Sequence, residues 1–282
     1  MDMMGVNFPS PSHREVCVTQ VVSISSLKGG VGKTSVTLGL ASAAAARGLS
    51  TLVVDLDPHG DASTGLAVST HTSAGSDAAT VLRSPKRRSV EAACVPAGWS
   101  TTRASGRRPR LDVVVGSSGS VTFDHLPPTR KNLSRLRTAL QGTTRYDLVL
   151  IDCPPTLNTL TMIAWAASEK VLAVAEPSLF SVAGTERTMR AIARFESENE
   201  FKVQAASVVV NKVQSDSAEH QYRIEELQGM FGKLVVSPTI NDAAVWQQIQ
   251  GSASPVHSWS GDESAVAMAQ AFDTILGGLI SA

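Results

Sequence analysis

The sequence has no run of 18 or more apolar residues, so nothing in it reads as a membrane-spanning helix. It has only three cysteines, Cys17, Cys94 and Cys153. An odd number without paired spacing excludes a disulfide framework and a zinc ribbon, and points to a reducing, cytoplasmic setting. The segment up to Glu15 lacks a basic stretch followed by an apolar one, so residues 1–17 read as a loose tail rather than a secretion signal. The dinucleotide fingerprint G-x-G-x-x-G is missing after the first strand, which argues against a nicotinamide enzyme. Lys and Arg are absent after Lys233.

What the chain does have is 282 residues, 25 Lys and Arg and 25 Asp and Glu, so its net charge of zero predicts no partner. The placement of charge is more telling. Between residues 83 and 145 stand thirteen cations (Arg83, Lys86, Arg87, Arg88, Arg103, Arg107, Arg108, Arg110, Arg130, Lys131, Arg135, Arg137 and Arg145) against Glu91, Asp112 and Asp124, a local excess of ten.

Short β-branched runs at 18–25, 51–55, 111–115, 148–152, 170–175 and 205–211, with a further one at 234–236, alternate with helical stretches at 33–47, 130–140, 185–198, 219–231 and 263–279. Alternation of this kind specifies an α/β fold: a doubly wound, mostly parallel sheet with helices on both faces. Gly48 stands where a C′ glycine would stop the first helix. Residues 69–110, rich in Ser, Thr, Gly and Arg, read as a basic, irregular excursion with at most one helix inside it. Without a repeat or a second composition, residues 18–282 are expected to form one domain.

The turn between the first strand and the first helix reads Lys28-Gly29-Gly30-Val31-Gly32-Lys33-Thr34-Ser35. Three glycines let the backbone bend and aim its N–H groups at phosphate oxygens, and the following helix N-terminus adds partial positive charge. Lys33 supplies a point charge for the β- and γ-phosphates, and Thr34 a hydroxyl for Mg²⁺. The general pattern G-x-x-x-x-G-K-[ST] wants glycine at position 27, where this chain has Leu27, so the match is to a variant of that motif. Two acidic strand ends accompany it. Asp55-Leu56-Asp57-Pro58-His59-Gly60-Asp61 closes the second strand, and Asp152 ends the run Leu148-Val149-Leu150-Ile151-Asp152 before Cys153-Pro154-Pro155. Ligands of open α/β sheets bind outside the carboxyl ends of strands, so Asp57 can reach metal, water or phosphate, and Asp152 is placed to hold the Mg²⁺ shell.

These stretches resemble the ParA/MinD family of deviant Walker A P-loop ATPases, more specifically its ParA, Soj-like, partitioning branch, from about residue 18 to the C-terminus. The most specific parts are the additional lysine Lys28, the block Asp55-Leu56-Asp57-Pro58-x-Gly60-x-Ala62 and Ile151-Asp152-Cys153-Pro154-Pro155. The runs Val174-Ala175-Glu176-Pro177 and Val182-Ala183-Gly184 also look like the family's segment after the Walker B strand, the one that ends here in Asp152. The resemblance implies that ATP and Mg²⁺ are the cofactors. It makes Lys28 a lysine reaching across an ATP-bound homodimer to the partner's nucleotide, Asp57 the acid that positions the attacking water and joins Thr34 and Asp152 at the metal, and Asn211 a contact for adenine. It also implies weak ATP hydrolysis until a ParB-like or cargo-adaptor protein stimulates it, in service of partitioning DNA or positioning other cargo.

Departures accompany the matches. His59 and Asp61 stand where the family usually has Gln and Asn, and no arginines lie near 239–242, where DNA-coating relatives carry them. Non-specific DNA would then be held through the cations at 83–137, with the protein nucleoid-associated, or those residues are solvated loops and a polar helix face. Two other readings stay open: a MinD-like membrane-associated ATPase, which would want a basic amphipathic C-terminal helix, and an ATP-gated interaction module with little hydrolysis. The last helix offers Phe272, Ile275, Leu276, Leu279 and Ile280 but no cation, so it is expected to pack on the domain. A tyrosine kinase of this class would need a terminal tyrosine cluster, but the chain has only Tyr146 and Tyr222, and an iron–sulfur carrier would need paired cysteines.

Overall fold

The computed structural model describes residues 19–68, 77–99, 109–203 and 205–281. The expected tail at 1–17 and the parts of the excursion at 69–76 and 100–108, with Arg103, Arg107 and Arg108, lie outside the described residues.

Seven strands, β1 (Gln20–Ser25), β2 (Thr51–Asp55), β3 (Val95–Pro96), β4 (Leu111–Val114), β5 (Leu148–Asp152), β6 (Lys170–Ala175) and β7 (Ala205–Val210), form one sheet in the order β3-β4-β2-β5-β1-β6-β7. All neighbours are parallel except the two-residue β3, which lies antiparallel on β4. The helices are α1 (Lys33–Arg47), α2 (Asp61–Gly65), α3 (Ala78–Arg83), α4 (Ser89–Ala93), α5 (Arg130–Leu133), α6 (Arg135–Leu140), α7 (Thr159–Ala167), α8 (Leu179–Glu198), α9 (Ala218–Phe231), α10 (Val245–Gly251) and α11 (Glu263–Ser281).

The central strands are buried along nearly their whole length because helices cover both faces, as continuous apolar runs require. On one face α1 packs against α11, so Phe272, Ile275, Leu276 and Leu279 enter the core and the apolar side of α11 has a partner. On the other, Trp165 of α7 meets the ring of Phe195 edge-on at 5.7 Å, among Val149, Ile151 and Leu160. Among the described residues no helix is long and apolar enough to cross a membrane.

The first helix occupies the expected span and ends at Gly48 in the left-handed conformation, with φ 77°. Elsewhere the structure corrects the reading. The expected helix at 130–140 breaks at Ser134, whose ψ is 0° and whose hydroxyl donates to the Lys131 carbonyl, a side-chain bond that competes with helical pairing. The expected strand at 234–236 is a 3₁₀ turn, Gly232–Leu234, followed by a single bridge from Val235 to Val208. Helices α2, α3, α4, α7 and α10 and strand β3 were not anticipated individually. Most are one or two turns long, too short to show a period. In α7 an all-round apolar sequence hides the amphipathic pattern. Its N-cap is Asn158, whose side chain accepts from the Thr161 N–H.

Both sheet edges are covered. Beyond β7, the Val236 N–H donates to the Val208 carbonyl and the Ile240 N–H to the Val210 carbonyl, each at 2.8 Å. At the other margin β3 pairs with β4 and contains Pro96, which cannot donate to a further strand.

Candidate functional site

The turn from β1 to α1 carries residues 28–34 out of the sheet and into the helix N-terminus. Gly30 and Gly32 have φ of 79° and 91°, a region closed to most side chains. Gly32 is required twice, since a Cβ there would lie 2.2 Å from the Asn211 amide nitrogen. That amide donates to the Val31 carbonyl at 3.0 Å, and the Lys212 ammonium donates to the Gly30 carbonyl at 2.7 Å. The residues that follow β7 therefore brace the loop through two of its carbonyls. Lys212 was not singled out from the sequence. Its position directly after Asn211 at a strand end was the available signal.

Beneath the loop, Asp152 is fully buried at the end of β5, in register with Ile24 of β1 on one side and Asp55 of β2 on the other. Thr34 and Thr37, on successive turns of α1, donate their hydroxyls to its two carboxylate oxygens, each at 2.8 Å. Thr34 and Asp152 are thus brought together as the sequence suggests, and Thr37 is an additional partner. Lys33 is buried beside them. Desolvation pulls its pKa below the ordinary lysine value, while the charges of Asp152 and Asp57 oppose that shift.

Asp55 is equally buried, and its neighbour on the next strand is another carboxylate. Burial first, and the Asp152 charge second, push its pKa up to about 8, although the N–H and hydroxyl of Ser63 both donate to Oδ2. Its Oδ1 has no partner among the described residues. Gly116 passes so close that a Cβ there would sit 2.8 Å from the Asp55 carboxyl carbon. Burial raises the Asp152 pKa as well, to about 6, opposed by the Thr37 and Thr34 hydroxyls and the Lys33 charge, so Asp55 holds a proton more readily than Asp152.

Asp57 lies past the end of β2 and accepts from both the backbone N–H and the ring Nδ1 of His59, at 3.0 and 2.9 Å. The Asp57 hydrogen bond, followed by its charge, raises the His59 pKa. Asp57, His59 and Asp61 line one open cavity of about 820 Å³ with Gly29, Gly30, Gly32, Lys33, Thr34 and Ser35. Its far wall is α10, which supplies Trp246, Gln247 and Gln250, and the Gln250 amide donates to the Ser35 hydroxyl at 3.1 Å. This wall was missed from the sequence, although Val245 and Ile249 show the helical i, i+4 spacing ahead of Gly251.

Lys28 stands apart from that cavity's lining. Its ammonium reaches Glu176 at 2.5 Å and the Ser178 hydroxyl at 3.3 Å, at the junction of β6 and α8.

A parallel sheet that aims a glycine-rich loop and a buried lysine at a cavity beside strand-end carboxylates defines a P-loop nucleotide-binding protein. Residues 19–205 match the family model AAA_31, described as an AAA domain. The chain is 30% identical over 246 residues to the chromosome partitioning protein ParA of Caulobacter vibrioides, covering 84% of each. Among solved structures it is similar to the ATP complex of a Cyanothece McdA variant, with a TM-score of 0.79, 16% identity and coverage of 93% of this chain and 96% of that one. It is also similar to a Mycobacterium smegmatis cobyrinic acid a,c-diamide synthase with bound ADP and magnesium, at a TM-score of 0.73, 19% identity and coverage of 94% and 96%. The chain belongs to the ParA/MinD family of P-loop ATPases, whose members partition or position cargo.

Proposed function

We propose that residues 18–282 act as one ATPase domain that dimerises with ATP bound, hydrolyses it when stimulated by a ParB-like or cargo-adaptor protein, and so partitions or positions intracellular cargo. The observation that carries this reading is the pairing of Thr34 with Asp152 directly under the loop, with Lys33 and Asp57 on the same cavity.

The residues present fit a Mg–nucleotide. Added Cβ atoms at Gly29 and Gly30 would meet nothing within 4 Å, so the face of the loop is open to phosphate. Bound Mg²⁺ supplies charge neutralisation at the β- and γ-phosphates. Thr34 would ligate it, with Asp152 and Asp57 in its surrounding shell. Lys33, already partly desolvated, places its charge on the phosphates, where a low dielectric makes it count. Asp57 orients water, Ser35 and Val31 complete the cradle, and Asn211 contacts the base while bracing the loop. Lys28, delivered across the dimer, neutralises charge on the partner's nucleotide. The site of action is the cytoplasm.

The test is a pair of variants followed by fluorescent-nucleotide binding and light scattering. Lys33→Ala is expected to lose ATP binding, and Asp57→Ala to bind ATP but persist as a dimer without turnover. A Lys33→Ala protein that binds ATP as tightly as the parent would sink the proposal.

A further inference from the structure

Ser35 stands on the first turn of α1 and lines the cavity beside the loop, yet its hydroxyl proton has no acceptor among the described residues. A serine or threonine inside a helix commonly donates to the carbonyl four residues earlier, as Thr185 and Thr188 of α8 do, each at 2.8 Å. For Ser35 the carbonyls within reach are those of Val31 and Gly32, and both are engaged. Val31 takes the Asn211 amide at 3.0 Å, and Gly32 takes the Val36 N–H at 2.9 Å. The one side-chain bond that Ser35 makes among the described residues is as an acceptor, from the Gln250 amide at 3.1 Å.

The core holds Gln250 in place for this contact. Helix α10 buries Val245 and Ile249, and the Trp246 ring packs on Phe272 of α11 at 6.0 Å. The Ile249 carbonyl closes the helix end by accepting from the Ser252 hydroxyl at 2.9 Å and the Ser254 N–H at 3.2 Å. No residue of α10 is charged. This wall therefore meets a ligand with neutral amides, while Lys33 and Lys212 bring charge to the cavity from other elements.

We infer that Gln250 is a positioning residue for nucleotide binding, which holds the Ser35 hydroxyl so that its proton is donated to a phosphate oxygen. The inference rests on the reading of the cavity as a nucleotide site. A hydroxyl has one proton and two lone pairs. With the Gln250 N–H seated on one lone pair, the proton turns away from α10, and with the neighbouring carbonyls engaged its remaining direction is the cavity. A donor fixed in this way meets an anionic oxygen in a charge-assisted bond and loses little freedom when the ligand arrives. Gln250 acts through Ser35 rather than on the nucleotide, because the N–H it would offer is already given to that oxygen.

The experiment is a double-mutant cycle on the full chain: parent, Gln250→Leu, Ser35→Ala and the double variant, each titrated with fluorescent ADP and Mg²⁺ so that turnover does not intrude. KM and kcat for ATP are recorded in parallel. Gln250→Leu should weaken ADP binding about five-fold, and Ser35→Ala by as much or more. In the Ser35→Ala background Gln250→Leu should cost less than about two-fold further, because no hydroxyl remains to be positioned. With ATP the change should fall on KM more than on kcat, as for a contact made alike in the ground and transition states. Gln250→Glu guards against a folding defect in Gln250→Leu. Its carboxylate accepts the Ser35 proton, which keeps the tie between α10 and α1 but removes the donor, so ADP affinity should fall about ten-fold or more. Parent-like binding by Gln250→Glu, or equal losses from Gln250→Leu with and without Ser35, would overturn the assignment and leave the ATPase proposal standing. A parent that binds neither ADP nor ATP would strike both.

Discussion

Lys28 and Glu176, 148 positions apart in the chain, form an ion pair at 2.5 Å in which each side chain is about three-quarters shielded from water. Glu176 is held ionised, its pKa pulled below the ordinary value by Lys28 against the cost of burial. An ammonium bound in this way is not available to a neighbouring molecule's nucleotide.

Glu176→Gln should therefore release Lys28. Replacing a partly buried charge-assisted bond by a neutral one removes about 1 kcal/mol in each of the two subunits, so the ATP-bound dimer should form at roughly thirty-fold lower protein concentration. Light scattering against concentration measures this, with Lys28→Ala as the opposite extreme. If Glu176→Gln instead reproduces the dimerisation defect of Lys28→Ala, Glu176 positions the lysine for its reach rather than restraining it.

How far these contacts could be read beforehand depends on their separation in the chain. That the loop, Asp57 and Asp152 would come together was legible because each lies in a contiguous run at the end of a strand. The central strands were legible because burial on both faces leaves an unbroken apolar run. Glu176 on Lys28, Lys212 on Gly30 and Thr37 on Asp152 were not legible as contacts. Each depends on strand order, and the order places β5 between β1 and β2 and β6 beside β1, regardless of chain order. Helix α10 escaped for a different reason. Its buried apolar residues are only Val245 and Ile249, too few to stand out in seven residues.

Lys212→Met keeps the aliphatic stem but deletes the bond to the Gly30 carbonyl. A hydrogen bond from an exposed ammonium contributes roughly 1 kcal/mol, and the loss falls on the conformation of the phosphate loop. Nucleotide affinity should drop about five-fold, measured by fluorescent ATP titration, with the melting temperature little changed. An unaltered Kd would show that Asn211 alone holds the loop.

Asp55→Asn is expected to stabilise the nucleotide-free protein at alkaline pH. Burial raises the folded-state pKa of Asp55 to about 8, whereas the unfolded carboxyl titrates near its ordinary value of about 4. Protonated Asp55 thus favours the folded state fully below about pH 4, and that contribution is lost as the pH rises through about 8. Asn imitates the protonated group and still accepts from Ser63. In EDTA, the melting temperature of the parent should fall relative to the variant across this range, by about 2–4 °C for each kcal/mol of difference. Parallel curves from pH 5 to 8 would mean that Asp55 is ionised throughout.

The covered margins of the sheet set how this chain can meet a copy of itself. An exposed strand edge would invite open-ended stacking, held by main-chain bonds that no nucleotide controls. Here Pro96 blunts one margin, and the segment after Val235 occupies the other. Self-association is thereby directed away from fibre-like growth and toward contacts made by side chains and loops. In the proposed cycle, contacts of that kind are the ones a change of bound nucleotide would undo.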